Sequence, residues 1–176
     1  TILDKIMVLD YDVIVRPHPE YIKRQGLAIK QLHDKYSHHS NFILETNSAS
    51  SESVQGSSLL ITDWSGIGIE YAWGMGKPVI YIDTPKKIHN SEYEKLNIVP
   101  LEVRIRNIIG KVITPLECSG IDREIQDIMN NGEANKAILQ YERNDNIFNW
   151  GRSGEVGADY IINYCLENNS SRKLKD

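Results

Sequence analysis

Apolar residues in this chain fall into short unbroken blocks, and between the blocks hydrophobic positions recur every three or four residues within polar stretches. The first block is Asp12-Val13-Ile14-Val15-Arg16; its length, its β-branching and the stop at Pro17-His18-Pro19 predict a buried strand. In residues 20–36, Ile22, Ile29, Leu32 and Tyr36 recur at spacings of seven, three and four, which places them on one face of a helix. Asn41-Phe42-Ile43-Leu44 predicts a second strand, residues 46–58 a serine-rich loop with a short helix near Glu52 to Gln55, and Leu59-Leu60-Ile61-Thr62 a third strand.

Asp63-Trp64-Ser65-Gly66 then turns the chain into a helix reaching about Gly74, with Ser65 as its N-cap. Gly76-Lys77-Pro78 closes that helix, with Lys77 as a cation near a helix C-terminus, and Pro78-Val79-Ile80-Tyr81-Ile82 is the fourth strand. Beyond a polar segment at 83–97, Lys111-Val112-Ile113-Thr114 predicts the last strand. The pattern Ser119-Gly120-Ile121-Asp122 announces a helix that buries Ile121, Ile125 and Ile128. After Gly154 a final helix carries Val156, Tyr160, Ile161, Tyr164 and Cys165, and residues 168–176 read as a polar tail.

Strands that are apolar nearly throughout and separated by helices indicate a parallel sheet covered on both faces. The fold expected is α/β, a Rossmann-like doubly wound parallel sheet, in one domain over residues 1–167. Composition agrees with one packed domain: 176 residues, 40% of them hydrophobic and 25% charged. A net charge of −4 gives no basic field for a polyanion, so nucleic acid is not an expected partner. Cys118 and Cys165 have neither CxxC spacing nor a histidine cluster beside them. They read as reduced thiols, and no metal site is expected. No apolar run approaches the ~20 residues of a membrane span, and a cytoplasmic location is expected. The first residue is Thr, inside a predicted element, which suggests a piece of a longer protein.

In parallel sheets ligands sit beyond the carboxyl ends of the strands, and two loops stand there. Arg16-Pro17-His18-Pro19 holds a histidine and an arginine on a rigid mount suited to a phosphate; the same pattern also describes a proline-bounded loop without a ligand. In Thr62-Asp63-Trp64-Ser65-Gly66-Ile67-Gly68-Ile69-Glu70, small residues open a helix whose free N–H groups suit an anion. Ser65 would donate to a phosphate oxygen, Gly66 and Gly68 would admit the ligand to the backbone, and Glu70 would accept from ribose hydroxyls. An ordinary capped helix, its glycines serving helix-to-sheet packing, explains the same residues. Gly151-Arg152-Ser153-Gly154-Glu155 offers a further helix start, more simply an N-cap than an anion site.

Three blocks in order, Val13-Ile14-Val15-Arg16-Pro17-His18-Pro19, Leu60-Ile61-Thr62-Asp63-Trp64-Ser65 and Gly76-Lys77-Pro78-Val79-Ile80-Tyr81, resemble the C-terminal half of CDP-glycerol glycerophosphotransferases, the enzymes of teichoic-acid and related capsule polymers. The resemblance spans residues 12–85 and, more weakly, Asn149-Trp150-Gly151-Arg152-Ser153. It implies the C-terminal half of a GT-B-type fold and a CDP donor held by His18 and residues 63–66. Glycerol phosphate, or a sugar, would pass to a polymer or lipid-linked acceptor without any cofactor. It also implies a separate N-terminal acceptor domain and, in the full-length protein, work at the inner face of the cell membrane. By it His18 and Arg16 are catalytic, and Asp63, Ser65, Gly66 and Glu70 bind the nucleotide. The family has a second serine where Gly66 stands here. Residues 62–66 with Glu70 and Gly76-Lys77-Pro78 are also similar to UDP-N-acetylglucosamine 2-epimerases, but Asp83-Thr84-Pro85-Lys86-Lys87 departs from the block that follows in those enzymes. A non-catalytic α/β interaction domain remains the third reading.

Overall fold

A computed structural model describes residues 1–47, 50–86, 90 and 92–172. Its contacts divide the chain into two compact units, residues 1–139 and 140–176.

The first unit opens with α1 (Ile2–Ile6), closed at its start by a capping box between Thr1 and Asp4. Asp4 also accepts from Lys35 Nζ and the Tyr36 hydroxyl, each at 2.7 Å, so α1 is tied to the helix that carries those residues. These bonds, that from Lys35 foremost, hold the Asp4 carboxyl far below the usual carboxylate range. β1 (Val13–Val15) leads through 16–18 into α2 (Pro19–Arg24), and α3 (Gly26–Tyr36) follows at once. The single helix expected here is broken at Gln25, whose φ of −127° and ψ of 39° are not helical. Gln25 closes α2 through its N–H and opens α3 through its C=O, and Gly26, a weak helix former, begins the second helix. Tyr36 is buried, with Ile22, Ile29 and Leu32 half-buried, as the spacing predicts.

β2 (Phe42–Leu44), α4 (Glu52–Gly56), β3 (Leu60–Thr62), α5 (Ile67–Met75) and β4 (Val79–Ile82) match the expected order. α5 stops at Gly76, whose φ of 62° favours glycine, and Lys77 Nζ donates to the carbonyls of Gln55 and Ser57 at 2.6 and 2.7 Å. Lys77 therefore caps the end of α4. A 3₁₀ turn at Tyr93–Leu96 precedes α6 (Leu101–Ile109), a helix the sequence pattern did not predict, and β5 (Lys111–Ile113) completes the strands. α7 (Ile121–Asn130) buries Ile121, Ile125 and Ile128, the predicted face, with Gly120 rather than Ser119 at its N-cap.

All strand pairs are parallel, but they form two sheets, β1-β2 and β3-β4-β5. β4 is central and buried on both faces: Ile80 joins Ile113 and the α7 isoleucines in the main core, and Tyr81 lies against α5 and the α6–β5 junction. The β1-β2 sheet has one covered face. Val13, Val15 and Phe42 pack toward the core, whereas Ile14 and Ile43 are 39% and 50% exposed. The architecture is α/β with two small parallel sheets, where one continuous sheet was expected.

α8 (Gly132–Asn146), also absent from the sequence reading, gives its last residues to the second unit, and α9 (Ser153–Arg172) forms the rest. α9 continues through residues 168–172, read above as tail; 173–176 lie outside the described residues. Tyr160, Ile161 and Tyr164 are exposed on it, as is Cys165. Among the described residues no helix is long and apolar enough to cross a membrane.

Candidate functional site

The first unit contains a cleft of about 2190 Å³, walled along their full lengths by β1 and β3. At the strands' carboxyl ends it is bordered by residues 16–20 after β1, 63–67 after β3 and 84–86 after β4. Arg16, His18, Asp63, Ser65 and Gly66 all line it, so both loops singled out in the sequence border the same cleft. Glu70 is exposed on α5 and is not part of the lining.

His18 is shaped by its neighbours. Preceding Pro19, it adopts φ −58° and ψ 139°, the extended region a following proline enforces, and it serves as the N-cap of α2. Its Nδ1 accepts the Glu20 N–H at 3.1 Å. An accepting Nδ1 carries no proton, so the neutral ring keeps its proton on Nε2 and is a hydrogen-bond donor on the side away from the cap. Arg16 is braced differently: Nη2 donates to the Ser50 carbonyl at 2.6 Å and Nε lies 3.7 Å from Glu45, which also accepts the Ser53 hydroxyl at 2.5 Å. The arginine thus links the loop after β1 to the loop after β2, and its charge is partly balanced by Glu45.

At the second loop the N-cap of α5 is Gly66, not Ser65, and no side chain caps this helix. Gly68, Ile69 and Glu70 donate back to Ser65 and Gly66, so of the helix's own first amides only that of Ile67 is left without a backbone acceptor. The two glycines separate in role. A Cβ on Gly66 would meet nothing within 4 Å, whereas one on Gly68 would sit 2.4 Å from Tyr81 Cε1. Gly68 therefore serves helix-to-sheet packing and not ligand approach, the plainer of the two readings.

Arg106 on α6 was invisible in the sequence and organises the site from behind. It is 4% exposed, with Nη1 3.1 Å from Asp83 and its guanidinium carbon 3.6 Å from the Trp64 ring centre and 5.0 Å from that of Tyr81. Trp64 Nε1 donates to the Thr84 carbonyl at 2.6 Å, and Lys86 Nζ lies 5.0 Å from the same ring. One buried cation thus joins the loop after β3 to the loop after β4. The signal that could have exposed it is the four-residue spacing of Leu101, Ile105 and Ile109.

Tyr81 is 1% exposed, and burial pushes its phenol up to about 12 although Arg106 acts in the opposite sense. Its hydroxyl finds no partner among the described residues. Tyr81→Phe is therefore expected to leave stability unchanged or raise it by up to about 1 kcal/mol, since it removes an unsatisfied polar atom. A thermal melt showing a clear loss would mean that the hydroxyl is bonded.

In the second unit, Arg152 pairs with Glu155 at 3.0 Å and the Ser153 hydroxyl donates to the Asn149 carbonyl at 3.0 Å, so this helix start is closed by its own residues. No group of histidine, cysteine and acidic residues among the described residues is placed to hold a metal ion. No protein-family model, curated protein or solved structure matches this chain.

Proposed function

We propose that the chain is the donor-binding domain of a transferase that moves glycerol phosphate from CDP-glycerol to a polymer or lipid-linked acceptor, the C-terminal half of a GT-B-type fold. The observation carrying this reading is that Arg16-Pro17-His18-Pro19 and Asp63-Trp64-Ser65-Gly66, which follow the carboxyl ends of β1 and β3, line one cleft, the kind of place where parallel folds hold ligands. The acceptor hydroxyl attacks the β-phosphorus; a new P–O bond forms, the bond to the bridging oxygen breaks, and CMP leaves with the electron pair. The hydroxyl proton passes to solvent or to a base on the acceptor side.

In this scheme His18 donates from Nε2 to a phosphate oxygen, a role that requires no change of tautomer. Ser65 and the uncapped start of α5 bind a second oxygen, and Lys86 supplies cationic charge across the cleft. Arg16 shares its charge between Glu45 and the phosphates, and Asp63 takes a hydroxyl of the donor. Glu70 lies away from the cleft and has no part in the scheme.

Calorimetric titration with CDP-glycerol, CDP, CMP, UDP and UDP-N-acetylglucosamine tests the reading. Cytidine ligands are expected to bind, and His18→Ala and Ser65→Ala to weaken them by roughly tenfold or more, the loss of one charge-assisted hydrogen bond. Preference for uridine ligands would move the reading to a sugar-nucleotide enzyme. Failure of every ligand at millimolar concentration would reject it.

A further inference from the structure

The cleft is larger than a donor needs: pockets for small ligands run to about 300–1,000 Å³, and this one has about 2190 Å³. It also continues below the loops, between the two strands, to the apolar side chains of Ile2 and Ile6 on α1 and Ile125 on α7. Its walls are two strand edges without a ladder between them.

Strand geometry identifies the groups on those edges. Val13 donates to Asn41 and Val15 accepts from Glu45, so both turn their backbone groups toward β2; alternation turns the N–H and C=O of Ile14 toward the cleft. Leu60 donates to Pro78 on the β4 side, so the N–H and C=O of Ile61 face the cleft from the opposite wall. The two strand edges that line the cleft, neither paired on that side, carry the donors and acceptors that one intervening strand would satisfy.

We propose that the slot between β1 and β3 receives one further β-strand, parallel to both, apolar on both faces, and carried by the same polypeptide in the segment that leads into α1. The position of α1 selects this source. Parallel neighbours are joined by a crossover helix, and α1 packs beside the slot and feeds β1, as the helix between an inserted strand and β1 would. The result is a single six-stranded sheet in the order β2, β1, inserted strand, β3, β4, β5, which is the doubly wound order with its switch point beside β3. Neither a nucleotide nor any activity enters this argument, so it stands or falls separately from the proposed function.

Amide hydrogen exchange tests it on two proteins: the 176-residue chain, and the same chain extended by the residues encoded immediately before Thr1. In the shorter protein the amides of Ile14 and Ile61 are expected to exchange without protection while those of Val15 and Thr62 are protected. In the extended protein both should gain protection together, by about 100-fold or more. If the extended protein does not fold, a synthetic peptide of the same upstream residues, added to the folded 176-residue chain, should produce the same paired protection.

Three results would overturn the proposal. In the first, the two amides are already protected in the shorter chain at every concentration, which means β1 and β3 pair directly. In the second, their protection rises with protein concentration alongside a dimer in sedimentation, which means a second copy fills the slot. In the third, neither the extension nor the peptide changes their exchange.

Discussion

Gly68→Ala will lower the stability of the first unit by about 2 kcal/mol, although alanine is the better helix former. Extra volume forced into a filled interior costs about 1–3 kcal/mol, and the gain in helix propensity returns only about 1. The upper end of the cost applies because the obstacle cannot retreat. The added methyl would stand 2.4 Å from Tyr81 Cε1, and on the other edge of the ring a Cβ at Gly110 would lie 2.8 Å from Cε2, so the ring fills the space between two glycines. Urea denaturation measures the loss, and the double variant with Tyr81→Leu should recover part of it as a coupling between the two sites. A Gly68→Ala protein as stable as the parent would show that α5 does not approach β4 this closely.

The second large effect is expected at Arg106. Arg106→Ala should cost about 2 kcal/mol, and most of that loss is stacking and packing, not an orphaned charge. Asp83, its ion-pair partner, is 43% exposed on its side chain, so water can take over the carboxylate and the pair itself is heavily discounted. The guanidinium 3.6 Å from the Trp64 ring has no such substitute. Arg106→Lys should therefore recover little, because an ammonium lacks the plane that stacks and the fork that reaches Asp83. Chemical unfolding gives the energy, and tryptophan fluorescence of the folded variants reports whether the Trp64 loop has loosened. Full recovery by lysine would show that charge alone is at work.

Much of this fold could be read before any coordinates because its strongest signals are local. The isoleucines of α7 recur at four and three, and β4 is an unbroken β-branched and aromatic run, so neither needed tertiary information. α6 was missed because Ile108-Ile109-Gly110-Lys111-Val112-Ile113 merges the end of a helix with a strand into one apolar stretch. α8 has few apolar positions and no clean stripe. The break at Gln25 was hidden because Ile22 stays in phase with α3 across it. Both candidate loops were legible, since prolines and small residues mark the carboxyl ends of strands. Arg106 was not, because a charged residue reads as solvent-facing until an aromatic from elsewhere in the chain is seen to cover it. Ser65 was named as a cap by residue type, while the backbone begins the helix one residue later, at Gly66.

The two sheets also differ in which stretch of chain builds them. β1 and β2 lie within residues 13–44, and β3, β4 and β5 within 60–113, so no strand of one is interleaved with the other. Each pairing then closes only a loop the length of its own crossover, and the entropy of closing a loop rises with length. Parallel sheets are slow to form when their pairings are distant in sequence. Here every hydrogen-bonded pair joins consecutive strands, so the order of synthesis is also the order in which the partners become available.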